Sequence, residues 1–185
     1  IVKEVPTPWL CLQADLRDHG LSIPRQLITS WTMQEQLNAL ANNEVDVIQA
    51  FEPFVDQALL GGGHLLYEAS LRGPTVYTGF ITSRATFNAR RQEIASLDTA
   101  LAQALSWMHD AGADDTARLV QGYFPELTHR QLHSAAKRYL DRKVWSEHTK
   151  INRAGFDRLS DSFFSGGAIR SPAHYESCVF NFGDH

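Results

Sequence analysis

ITSWTMQEQLNALANNEVDVIQAFE, residues 28–52, is the stretch on which the fold turns. Thr32 followed three residues later by Glu35, just ahead of Leu37, Leu40 and Ala41, is a capping box that opens an amphipathic helix. Asn42 and Asn43 end that helix. Val45, Val47 and Ile48 then form a short apolar run of the kind that fills a buried parallel strand. With a strand also read ahead of Trp31, the stretch predicts a βαβ unit. Ligands in open α/β sheets collect beyond the carboxyl ends of the strands, so Trp31, Thr32, Phe51 and Glu52 stand where a small molecule would sit.

On the N-terminal side, residues 1–5 read as the end of a strand. A helix follows with Thr7 as N-cap and Pro8 at its first position, carrying Trp9, Leu12 and Leu16 to a stop at Gly20. On the other side, Pro53 opens a helix with Phe54, Val55, Ala58 and Leu59 that ends at Gly61-Gly62-Gly63. Residues 64–69 and 75–82 read as two further strands, the second rich in β-branched and aromatic residues. Beyond Arg84 the pattern is helical. Leu97, Leu101, Leu105 and Met108 form one stripe; Leu132, Ala136, Tyr139 and Leu140 a second; Phe156, Leu159, Phe163 and Phe164 a third. Thr128 is placed to cap the second, while Gly112 and Gly166-Gly167 mark helix ends. A boundary near Ser83 therefore divides an α/β part, residues 1–83, from a helical part, residues 84–185.

The 185 residues are 43% hydrophobic and 21% charged, enough to bury a core as a soluble chain. A net charge of −4, with the basic residues scattered, argues against a nucleic-acid surface, which needs clustered Lys and Arg. No apolar run approaches the ~18 residues that would span a bilayer, and no signal-like segment opens the chain. Cys11 and Cys178 read as two buried thiols, not a disulfide framework.

The motifs TPWLCLQADLRDHGL (7–21), LNALANNEVDVIQAFEPFVDQAL (37–59) and RGPTVYTGFITSR (72–84) resemble the second half of a bacterial ABC-transporter solute-binding protein. The family is the one serving nitrate, taurine, alkanesulfonates and thiamine-pyrimidine precursors, of the type II periplasmic-binding-protein fold. The pattern L-x-x-N-x-V-D-x5-E-P, from Leu40 to Pro53, carries most of the specificity. The resemblance places the first lobe upstream of Ile1. It implies an α/β lobe followed by helices that return to pack on the absent one, capture of a small anionic or heteroaromatic solute, and delivery to an ABC permease. It also implies a periplasmic or extracytoplasmic place of work, no cofactor and no catalysis. Helices left uncovered by the absent lobe would favour a homodimer. Two alternatives share the fold: an enzyme resembling the thiamine-pyrimidine synthases, and a sensory or regulatory ligand-binding module.

Thr7, Pro8 and Trp9 open a helix whose first N–H groups suit a sulfonate, phosphate or carboxylate, and in the family this helix start faces the ligand. Thr7 also has the simpler role of a cap. The Thr32 hydroxyl is explained by its capping box, while the Trp31 ring suits stacking on a planar ligand. Glu52 either caps the helix after Pro53 or, in a cleft, favours a ligand with an amino or ring N–H donor. Tyr77 and Thr78 lie on the expected strand that would cross between lobes. Arg72 and Arg84 are surface cations by default. His129 and His133 stand at the i, i+4 spacing of a zinc pair, but no third ligand or H-E-x-x-H motif accompanies them, so a polar helix face is the reading.

Overall fold

A computed structural model describes residues 5–24 and 26–182, and among these the chain is helical, with no strand and no sheet. The α/β expectation, and with it the periplasmic-binding-protein architecture, is overturned. The expected strands around residues 28–31, 45–51, 64–69 and 75–82 run as irregular chain, apart from the start of a 3₁₀ turn at Ala69. Of the strand expected over residues 1–5, only Val5 lies within the described residues, and it is irregular. A short apolar run is compatible with a strand but does not create one, because a strand exists only through a neighbour's ladder and a face to bury. These runs have neither: Val47 is 61%, Phe80 75% and Ile81 98% exposed, whereas a central parallel strand is covered on both faces.

The chain divides into two compact units, Ile1–Gly73 with Asp157–Pro172, and Pro74–Phe156 with Ala173–His185. In the first, α1 (Thr7–Asp18) buries Leu10 and Cys11. Its end is closed by the bonds Gly20 N–H to Arg17 O and Leu21 N–H to Leu16 O, with Gly20 at φ 66. α2 (Met33–Ala41) starts at the expected capping box and packs on α3 (Phe54–Leu60), burying Gln36 and Ala39. α3 stops where the glycines predict: Gly62 takes φ 93 and Gly63 N–H reaches Ala58 O at 2.9 Å. The 3₁₀ turn Ala69–Arg72 follows. The unit is completed from Asp157 on by the longer part of α7 (Arg153–Ser165), whose exit at Gly166 is pressed against Leu10 so closely that an added Cβ would meet its Cδ2 at 2.4 Å.

In the second unit, α4 (Arg84–Ala89) is capped by Ser83 Oγ, which accepts from Thr86 N–H at 3.0 Å. α5 (Arg91–Val120) is broken at Gly112, where φ is 78. It packs against α6 (His129–Asp141), which buries Leu132 and Ala136 and begins at a capping box formed by Thr128 and Gln131. Gln121 Nε2 donates to Leu127 O at 2.8 Å and closes the connection between the two. Asn181, 8% exposed, receives Ile151 N–H on its Oδ1 at 2.9 Å and donates to the Tyr175 hydroxyl at 2.7 Å, pinning the C-terminal segment with its short helix α8 (Tyr175–Cys178). Arg153 holds the neighbouring Glu176 carboxyl below the usual glutamate range, chiefly by hydrogen bonding to it. Cys11 is buried as expected, but Cys178 is exposed, since α8 is a single short turn with no buried residue.

Candidate functional site

The sequence-predicted residues fall in both units. Thr7 is the first residue of α1 and not its cap: the N-cap is Pro6, which has no side-chain acceptor, and the helix ladder starts with Leu10 N–H to Pro6 O at 3.0 Å. Because Pro8 lacks an N–H, the groups outside that ladder at the helix start are those of Thr7 and Trp9. Trp9 is half-buried. The Pro8 carbonyl accepts from Gln49 Nε2 at 3.0 Å, a bond that ties the extended segment leading to Glu52 to the first turn of α1. Gln49 was not among the expected residues. Its sequence signal is slight, a lone uncharged polar side chain in the run VDVIQAF, yet its Oε1 is buried without a hydrogen-bond partner among the described residues.

Glu52 Oε2 accepts from Asp56 N–H at 3.1 Å, the capping role. Thr32 is likewise occupied: its Oγ1 accepts from Glu35 N–H at 3.2 Å and donates to Glu35 Oε2 at 2.9 Å. The Trp31 carbonyl receives Gln36 Nε2 at 3.4 Å, and its ring is half-buried at the head of α2. Tyr77 and Thr78 belong to the second unit, on exposed irregular chain, with Tyr77 46% exposed. Thus Pro8 is joined to Gln49, three residues before Glu52, Trp31 and Thr32 share the same unit, and Tyr77 and Thr78 belong to the other.

At the other end of α1 the first unit holds a groove of about 480 Å³ that sequence reasoning did not single out. Its floor is a buried ion pair, Arg72 Nε to Asp15 Oδ1 at 3.0 Å, with side chains 4% and 10% exposed. Arg72 Nη2 also donates to Ser162 Oγ at 3.3 Å, and the Ser162 hydroxyl, 1% exposed, donates to the Arg158 carbonyl at 2.9 Å. Asp18, His19, Tyr67 and Arg158 complete the polar wall beside Leu71. Arg72, read from sequence as a surface cation, is therefore interior. Asp15 and Arg72 are far apart in the chain, so no local pattern announces the pair.

Arg84 begins α4. His129 Nε2 lies 3.5 Å from Asp114 Oδ1, and His133 lies farther along α6 beside Arg130 and Lys137. Among the described residues no three His, Cys, Asp or Glu side chains gather as a metal site, and no helix is long and apolar enough to cross a membrane. No protein-family model, no curated protein and no solved structure matches the chain.

Proposed function

We propose that this protein is the solute-binding component of an importer, capturing a small anionic or heteroaromatic solute without chemical change. The Gln49–Pro8 hydrogen bond is the observation that carries the reading. It joins two motifs named in the resemblance, the TPW start of α1 and the VDVIQAFEP segment, across a sequence separation of 41 residues. The Thr7 and Trp9 N–H groups, at the positive end of the α1 dipole, suit an anionic group. The buried Gln49 Oε1 is an acceptor suited to a ring or amino N–H, because leaving it unsatisfied is unfavourable by roughly 1–3 kcal/mol. A permease partner and an extracytoplasmic place of work come with the resemblance and belong to the same proposal.

The test is calorimetric titration of the full chain with nitrate, methanesulfonate and a 4-aminopyrimidine, each recovered afterwards and checked for unchanged mass. One of these classes binds and comes back intact, and Gln49→Leu weakens it about tenfold or more, equivalent to about 1.4 kcal/mol. Binding by none of the three, or conversion of the bound compound, overturns the proposal.

A further inference from the structure

We infer that the outer face of α6, with the turn that leads into it, is a docking surface for an anionic lipid membrane. In sequence the basic residues look scattered, but Arg130, Lys137, Arg138 and Arg142 recur at intervals that a helix of 3.6 residues per turn brings to one side. Leu132 and Ala136 are buried on the other side, where α6 packs on α5. A groove of about 450 Å³ runs along the basic side, and among the described residues its charged lining is those four cations and one carboxylate, Asp141. Lys137 Nζ engages Asp141 at 2.8 Å, and Arg138 Nη2 donates to Ser134 Oγ at 3.4 Å, a hydroxyl that cancels no charge. On α5, Asp114 and Asp115 are taken up by Arg118. From Arg118 to Lys143 the chain carries six Lys and Arg against Glu126 and Asp141, in a protein whose net charge is −4. Attraction to a charged plane is summed over such a patch and needs no vacant donor on any one side chain.

Charge alone suits any polyanion, and the apolar groups ahead of the helix choose among them. The end of α5 and the turn after it expose Leu119, Tyr123 and Phe124, with Tyr123 at 83%. That turn is closed by its own bonds: Phe124 N–H to Gln121 O at 3.2 Å, Leu127 N–H to Phe124 O at 3.1 Å and Gln121 Nε2 to Leu127 O at 2.8 Å. Its apolar side chains are therefore held in water by an ordered backbone. A nucleic-acid strand is met by rings interleaved with the cations along its track. Here no Phe, Tyr or Trp among the described residues lines the groove, and the exposed rings precede the helix in company with a leucine. A membrane surface suits this division, with the cations at the anionic headgroups and a mixed aliphatic and aromatic tip at the interface, where Tyr is favoured.

The experiment is co-sedimentation of the full chain with phosphatidylcholine vesicles, without and with about 30% phosphatidylglycerol, at about 50 mM and about 500 mM salt. The protein binds the anionic vesicles alone, and binds them more tightly at the lower salt. Arg130→Gln combined with Lys137→Gln, both exposed positions, weakens binding about tenfold or more. Tyr123→Ser weakens it severalfold and leaves its salt dependence in place, and the circular dichroism spectrum is unchanged in both proteins. Equal binding to neutral vesicles, no binding to either kind, or parent-like binding by the double variant or by Tyr123→Ser overturns the assignment. Release of the vesicle-bound protein by a single-stranded oligonucleotide at equal phosphate concentration overturns it in favour of nucleic acid.

Discussion

Gly73 permits the close approach of the Arg158 guanidinium to the chain. Its φ of 90 and ψ of −173 fall in a region open essentially to glycine alone, and the space above it is filled by the Arg158 guanidinium. Gly73→Ala is expected to lower stability by about 1–3 kcal/mol, which thermal unfolding would register. An unchanged melting temperature would show that the backbone there adapts freely. At this scale the sequence was a poor guide. Arg72 reads as a surface cation, and what buries it is Asp15 on α1 and Ser162 on α7, neither of which a local window contains. Gln49 was hidden for the same reason, its partner being the Pro8 carbonyl.

Elements whose signals are local were legible. Thr32 with Glu35 and Thr128 with Gln131 form the bonds their spacing predicts, and the glycines at 62 and 167 adopt positive φ where helices end. Thr32→Ala and Thr128→Ala are each expected to cost about 1 kcal/mol in urea unfolding. Thr7→Ala is the contrasting case, expected within about 0.5 kcal/mol of the parent, because Pro6 holds the cap position and the Thr7 side chain caps nothing. A loss at Thr7 as large as at Thr32 would refute this account of the α1 start. The strands were misread because a short apolar run and β-branching describe a surface in search of a partner. The 75–82 run is rich in β-branched and aromatic residues, yet among the described residues its Val76 N–H meets the Gly155 carbonyl, at 3.4 Å, and no strand.

For the whole molecule, several large apolar side chains stand in solvent. Leu66, Phe80 and Ile81 are each at least 75% exposed, and residues 73–83 contain no charge to discourage association. Sedimentation velocity is expected to show self-association that grows with concentration, and Ile81→Lys to reduce it while shifting stability by less than about 0.5 kcal/mol. Identical sedimentation of the two proteins would show that this segment plays no part.

The interleaving of the two units also sets an order of events during synthesis. Ser162, which steadies Arg72, follows it by 90 residues, and nearly all of the intervening chain belongs to the second unit. A ribosome therefore releases most of the second unit before the first has its last helix. Until then Asp15 and Arg72 lack Ser162 and the groove lacks Arg158, so the groove cannot be complete before α7 is made.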